Sequence, residues 1–224
     1  MKRTSYVLIV FIVVCFFWML SGINPASPEN WLAESKVFFW VIPLLAGLAA
    51  YLRISKTSVT LIAIFLLLHG VGMYYNYGYV PFGNFLGHLF GLERNFYDRF
   101  VHCCFGLLLF FPIREMLLRA KAPSGFFSYF VPFNIIMSAS AIYEIMEWST
   151  VSKLAASIGF LFIGGNDPFD AEKDMAMAGI GAVVAALVVF VRYATLTKNV
   201  VEKMKRAWAE HRAHITRTPF RTPL

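Results

Sequence analysis

Long apolar runs separated by short polar segments dominate this sequence. A transmembrane α-helix needs about 20 predominantly apolar residues, and six runs reach or approach that length. They cover approximately residues 7–20, 37–52, 59–75, 98–118, 126–148 and 170–192. Since lipid offers the backbone no hydrogen-bond partner, such runs cross it as helices. The pattern predicts an all-α membrane protein built as a six-span transmembrane helical bundle.

The same pattern divides the chain into two parts. Residues 1–197 are predicted to form the six-span transmembrane domain, and residues 198–224 a basic cytoplasmic tail that contacts anionic lipid. Lys2 and Arg3 before the first run resemble the start of a signal peptide, but no cleavage motif follows, so we expect an uncleaved first span. Between residues 151 and 165 an apolar piece is too short to cross a bilayer, which predicts a surface or re-entrant element.

Composition and charge support a membrane location. The chain is 58% hydrophobic and 15% charged, which excludes an ordinary soluble domain. The net charge of +7 does not indicate nucleic-acid binding, because the basic residues lie in loops and at the C-terminus. With six spans, fifteen of the 20 Lys and Arg residues fall on the side of the N-terminus. The positive-inside rule therefore predicts that both termini are cytoplasmic, in a membrane protein whose partners are membrane lipids.

Three of the apolar runs carry pairs of ionisable residues at one end. Each pair has a spacing of three or four, which places both side chains on one helical face. The pairs are Asp98 and His102, Glu144 and Glu147, and Asp170 and Asp174. In the predicted topology all three lie in the outer leaflet, where ionisable groups are costly unless they face one another or water. We expect them to converge on one hydrated pocket.

The pocket has the donor set of a metal site. One imidazole with several carboxylates suits Mg²⁺, Mn²⁺, Zn²⁺ or a two-metal centre, so the six residues are candidate ligands of a divalent metal ion. A metal-activated water would attack a phosphate or ester of a lipid-linked or cell-envelope substrate. Arg94 or Arg99 would then bind a substrate anion.

Other interpretations of the pocket stay open. Arg94 and Arg99 are also placed to neutralise some of the acids, leaving a site that binds a polar headgroup or relays protons in a small transporter. A structural network of ion pairs is the third possibility. The sequence does not decide whether the protein is an enzyme, and it leaves the oligomeric state unknown.

Several other polar residues have simpler interpretations. His69, near the middle of the third run, is predicted to be a hydrogen-bonded core histidine. Asp167 is predicted to be a turn or cap residue before the sixth run. Glu115 is predicted to pair with Arg114 at the surface. Ser140 is interpreted as a small residue of a packed helix, because no nucleophile motif surrounds it.

Four segments resemble the YjdF-like inner membrane proteins of bacteria. They are VPFGNFLGHLFGLERNFYDRFVH, REMLLR, MSASAIYEIMEW and DPFDAEKDMAMAGIGA, and together they cover roughly residues 60–190. The resemblance implies a multi-spanning bacterial inner membrane protein. It implies no molecular function, since none is established for that family.

A looser likeness is to the VanZ-like proteins, which are implicated in glycopeptide-antibiotic resistance. Their pattern is similar to Asp98-Arg99-x-x-His102, then Glu144-x-x-Glu147, then Asp170-x-x-x-Asp174. Glu147 and Asp174 depart from that pattern, because they are acids where it has amides. The departure favours cation binding in this chain.

Overall fold

The computed structural model describes residues 2–158 and 168–217 of the chain, and their regular structure is entirely α-helical. The helices are α1 (Arg3–Ser21), α2 (Pro28–Leu52), α3 (Lys56–Tyr75), α4 (Pro81–Leu89), α5 (Tyr97–Arg119), α6 (Phe127–Ile158) and α7 (Asp170–Arg217). The predicted all-α fold is confirmed. Asp167 and the end of the predicted surface element lie outside the described residues.

Within the described ranges, five helices are long and apolar enough to cross a membrane, judged by length and composition. They are α1, α3, α5, Phe127–Ser149 of α6 and Asp170–Arg206 of α7, while α2 contains a shorter apolar stretch, Ile42–Leu52. Large apolar side chains face outward, as Leu8 (57% exposed) and Phe16 (56% exposed) do on α1. These helices and outward apolar side chains are the features expected of a membrane protein. Six spans and cytoplasmic termini stay predictions.

The chain forms two compact units, residues 1–186 and 187–224. The first contains α1 to α6 and the beginning of α7. The second contains the rest of α7, where apolar Leu187, Met204 and Trp208 are exposed among basic residues. The predicted boundary of the basic tail, between residues 197 and 198, falls inside the second unit and stays a prediction.

Helix α5 is the centre of the first unit. It packs against α3, α6, α4 and α2, while α1 packs against α3. Two glycines let α5 approach α7 closely: a Cβ at Gly106 would overlap the carbonyl oxygen of Ala178, and one at Gly181 would overlap that of Cys103. Backbones come this close in lipid where small residues face each other.

The entry into α5 is fixed by side-chain hydrogen bonds to the backbone. Asn95 donates from Nδ2 to the Val80 carbonyl (2.8 Å) and accepts the Tyr97 N–H on Oδ1 (3.0 Å). The Tyr97 hydroxyl then donates to the Leu68 carbonyl of α3 (2.8 Å). Tyr97 is only 2% exposed, so these bonds lie in a dry environment and hold the first turn of α5, where Asp98 follows.

The opposite end of α5 carries Glu115, whose predicted surface pair with Arg114 is wrong. The Glu115 carboxylate accepts the Ser55 N–H (2.9 Å) and the Ser58 hydroxyl at the N-terminus of α3. It also pairs with Arg119, one helical turn further along (2.7 Å). An adjacent position on a helix points about 100° away, so Arg114 instead donates to the Ser128 hydroxyl (3.2 Å).

Candidate functional site

His102 is the centre of the polar cluster. Its Nε2 lies 3.2 Å from Glu144 Oε1 and 3.8 Å from Asp98 Oδ1. Its Nδ1 lies 3.3 Å from the Ser140 hydroxyl. Because Ser140 and Glu144 are four residues apart on α6, they hold the two ring nitrogens from one helical face. The structure thus brings together Asp98, His102 and Glu144, and it gives Ser140 an orienting role.

Asp170 faces two guanidinium groups. Arg94 Nη1 lies 2.5 Å from Asp170 Oδ1, and Arg99 Nη2 lies 3.3 Å from the same oxygen. Partial burial lowers the pKa of Arg94 and the hydrogen-bonded Asp170 carboxylate raises it, with a net rise above its ordinary value. Arg94 and Arg99, predicted to bind a substrate anion, therefore both contact an acid of the protein.

Asp174 and Glu147 complete the set of predicted site residues. Asp174 is 2% exposed, and no hydrogen-bond partner of its Oδ1 occurs among the described residues. Glu147 is half-buried, and the carboxylates that act on it electrostatically include Asp98, Glu144 and Asp174. All six predicted residues thus lie in one electrostatic neighbourhood. Carboxyl groups outnumber guanidinium groups in this neighbourhood.

A cavity of about 320 Å³ opens beside this cluster, between α3, α5 and α6. Apolar side chains such as Ile62, Phe65, Leu66, Phe105 and Leu109 form most of its wall. The polar side chains that line it are His69, Tyr77, Asp98, His102, Ser140 and Tyr143. A largely apolar cavity with a few polar groups at defined positions is the usual form of a small-molecule site.

Four of the residues near the cavity were not predicted as site residues. His69 is buried and hydrogen-bonded to the Tyr77 hydroxyl, as expected of a core histidine, but it also lines the cavity. Its Nε2 lies 3.9 Å from Glu34 Oε2. Glu34 accepts a hydrogen bond from the Tyr143 hydroxyl (2.8 Å). A second polar group, Glu34–His69–Tyr77–Tyr143, therefore adjoins the first.

The sequence contained one signal for this second group. In the predicted topology, the polar segment before the second apolar run lies on the same side of the membrane as the cluster, and Glu34 is one of its acids. Tyr77 gave no comparable signal, because a tyrosine near a helix end normally marks the membrane interface. Burial raises the pKa of the Tyr77 phenol well above its ordinary value, with nearby Glu34 adding to the rise. Tyr77 is consequently a neutral hydrogen-bonding hydroxyl.

The predicted metal site was compared with this geometry. Over residues 2–158 and 168–217, no three His, Cys, Asp or Glu side chains are placed to hold one metal ion. The carboxylate oxygens of Glu144 and Asp98 lie 3.2 Å and 3.8 Å from His102 Nε2, distances typical of a hydrogen bond or longer. Metal binding by these six residues stays a prediction.

Comparison with known proteins identifies the relatives of this chain. A family described as predicted membrane proteins, DUF2238, matches residues 6–195. The inner membrane protein YjdF of Escherichia coli (strain K12) is 28% identical over 168 residues, which are 75% of this chain and 80% of the relative. No solved structure matches. The resemblance to YjdF-like proteins and the multi-pass inner membrane location are confirmed, and the chain belongs to the DUF2238 family of predicted membrane proteins.

Proposed function

We propose that this protein binds an amphiphile of the membrane or cell envelope, a lipid or lipid-linked molecule, in the cavity between α3, α5 and α6. The apolar chain of the ligand packs against Phe65, Leu66 and Leu109, and its polar head meets Asp98 and His102. The observation that supports this proposal is the composition of the cavity wall, which is apolar except for two adjoining groups of ionisable and hydroxyl side chains.

The size of the cavity suits such a ligand. Its volume of about 320 Å³ lies at the lower end of the range of small-molecule sites, about 300–1,000 Å³. Each methylene buried there contributes about 0.8 kcal/mol, so eight would supply roughly 6 kcal/mol before the cost of association. After an association cost of at least about 4 kcal/mol, roughly 2 kcal/mol remains from the chain, so the contacts of the polar head supply the rest of the affinity.

The polar end suits recognition of a headgroup. Ser140 and Glu144 hold the His102 ring in one orientation, so its nitrogens keep fixed directions. A carboxylate accepts hydrogen bonds only, while an imidazole and a hydroxyl can both accept and donate. Asp98, His102 and Ser140 therefore offer acceptors and donors within one small region.

Filling the cavity tests this proposal. Ala139 lines the cavity and Ala50 is exposed on α2, so tryptophan at each position gives a matched pair. Octanol is titrated calorimetrically into the full-length protein held in a nonionic amphipol. We expect saturable binding to the wild type and to Ala50→Trp, and its loss in Ala139→Trp. Equal binding to all three proteins, or none to the wild type, would refute amphiphile binding at this cavity.

A divalent metal ion is the second candidate occupant of the acidic end. It is favoured by the buried oxygens Glu144 Oε1 and Asp174 Oδ1, which have no hydrogen-bond partner among the described residues. A cation would satisfy such acceptors. Metal analysis of the purified wild type, His102→Ala and Glu144→Ala tests this: stoichiometric metal in the wild type that both substitutions remove supports it, and its absence refutes it.

Six spans with both termini in the cytoplasm are part of the proposal. Helix α2 supplies the additional span, since its 25 residues are long enough to cross a bilayer. The fifteen basic residues on the side of the termini support the orientation. With this topology, the acidic end of the cavity faces the periplasmic side.

A further inference from the structure

We propose that the headgroup bound at the polar end of the cavity is an ammonium group, so that the ligand is a cationic or zwitterionic amine-bearing amphiphile. This inference depends on the proposed amphiphile binding and specifies the ligand class. It rests on three observations: the charge balance of the cluster, the aromatic rings of the cavity wall, and a buried histidine nitrogen that has no hydrogen-bond partner among the described residues.

Charge balance is the first observation. Asp98 lines the cavity, with Glu144 and Asp98 both beside His102. The guanidinium groups of Arg94 and Arg99 both contact Asp170 and also act electrostatically on Asp98, so two positive charges face the three carboxylates Asp98, Glu144 and Asp170. A buried carboxylate requires an opposite charge or hydrogen-bond donors, and within the described residues Glu144 Oε1 lies 3.2 Å from His102 Nε2 without an aligned hydrogen bond. An ammonium group supplies both a positive charge and up to three N–H donors.

The aromatic wall is the second observation. Phe65, Tyr77, Phe105 and Tyr143 line the cavity together with the two histidines. The face of an aromatic ring attracts a cation within about 6 Å, and this attraction increases where water is excluded. Rings that alternate with carboxylates are a recurrent environment for ammonium groups, whereas a phosphate or sulfate gains nothing from ring faces.

His69 provides the third observation. Its side chain is 5% exposed and lines the cavity, and its Nδ1 is hydrogen-bonded to the Tyr77 hydroxyl. Its Nε2 has no hydrogen-bond partner in the described structure, and the nearest carboxylate oxygen, on Glu34, is 3.9 Å away. A buried polar atom left in this way requires a partner, and the cavity is the space from which a ligand can provide it.

A purely anionic headgroup fits less well. It would place its charge beside Asp98 and Glu144, and like charges at close range are strongly unfavourable in a dry site. A neutral hydroxyl would donate one hydrogen bond and leave the charge of the cluster unbalanced. In the His69 tautomer whose Nδ1–H donates to the Tyr77 hydroxyl, Nε2 accepts a hydrogen bond from an ammonium group, which then satisfies all three observations.

The test uses three ligands with one alkyl chain: octylammonium, octanol and octyl phosphate. Each is titrated into the full-length protein in a nonionic amphipol, and binding to Ala139→Trp is subtracted as background. We expect octylammonium to bind at least tenfold tighter than octanol, which corresponds to about 1.4 kcal/mol, and octyl phosphate to bind most weakly.

Substitution of the carboxylate identifies the group responsible. Asp98→Asn keeps the shape and removes the charge, so we expect it to lower the affinity for octylammonium to about the affinity that the same variant has for octanol. Glu93→Gln is the control, because Glu93 is exposed in the segment before α5. Glu144→Gln provides a second variant should Asp98→Asn fail to fold, as monitored by thermal unfolding.

The outcomes separate the two proposals. Equal affinity for all three ligands, or tightest binding of octyl phosphate, overturns the ammonium inference and leaves amphiphile binding intact. No cavity-dependent binding of any ligand overturns the proposed function itself. An unchanged preference in both carboxylate variants also overturns the inference, since these groups would then not recognise the head.

Discussion

Alanine in place of Gly106 is expected to destabilise the bundle. The added Cβ would overlap the Ala178 carbonyl oxygen and lie 2.7 Å from the Ala182 nitrogen, and both are backbone atoms that cannot rotate away. Overpacking of this kind lowers the free energy of unfolding by about 1–3 kcal/mol. We take the upper end of this range because the backbone must move. The higher helix propensity of alanine stabilises the helix by about 1 kcal/mol relative to glycine, so the net decrease in the free energy of unfolding is about 2 kcal/mol.

The assay is thermal unfolding of the purified full-length protein in detergent. For a protein of this size 1 kcal/mol shifts Tm by about 2–4 °C, so Gly106→Ala should lower it by roughly 4–8 °C. Gly47→Ala is the matched control, because Gly47 also lies in a helix but its Cβ would meet nothing within 4 Å. That variant should be unchanged or slightly more stable. A wild-type Tm for Gly106→Ala would refute the close contact between α5 and α7.

Three further predictions follow from the ends of the helices. Glu115→Ala should lower the free energy of unfolding by about 2 kcal/mol, because the buried Ser58 hydroxyl loses the carboxylate to which it donates. The control Glu93→Ala, at an exposed position, should change that free energy by less than about 0.5 kcal/mol. Arg94→Gln should lower the free energy of unfolding by about 1 kcal/mol or less, because the ion pair of Arg94 with Asp170 is one-third exposed. This loss should be smaller still in 1 M salt, which screens the pair. In a cysteine-free background, Glu93→Cys should react with an impermeant maleimide from the periplasm and Thr57→Cys only after permeabilisation; the reverse pattern would contradict the proposed orientation.

The lengths of the apolar runs were sufficient to predict the helices. Each of the six runs lies within or overlaps one of the helices α1, α2, α3, α5, α6 and α7. A span in lipid has few alternative structures, so hydropathy determines its backbone almost alone. The short helix α4 was not predicted, since nine residues leave little periodicity to detect.

The candidate site was predictable only in part. Spacing alone placed Asp98 and His102 on one face, and their predicted neighbour Glu144 lies beside them. Sequence does not give the rotation of each helix about its axis, which decides what else faces inward. For that reason Glu34 and Tyr143 were missed, and the pairing of Asp170 with both arginines was not distinguished from ligand binding.

The near-contact of α5 and α7 at Gly106 and Gly181 has a consequence for how this site can evolve. The alignment of these two helices depends on main-chain atoms that meet one turn away from His102 and Asp174, not on the ionisable groups themselves. Under the proposed function, exchanging a carboxylate for an amide would therefore change which ligand binds while the packing of the two helices stays in place. New specificities become reachable by single substitutions, without any rebuilding of the architecture.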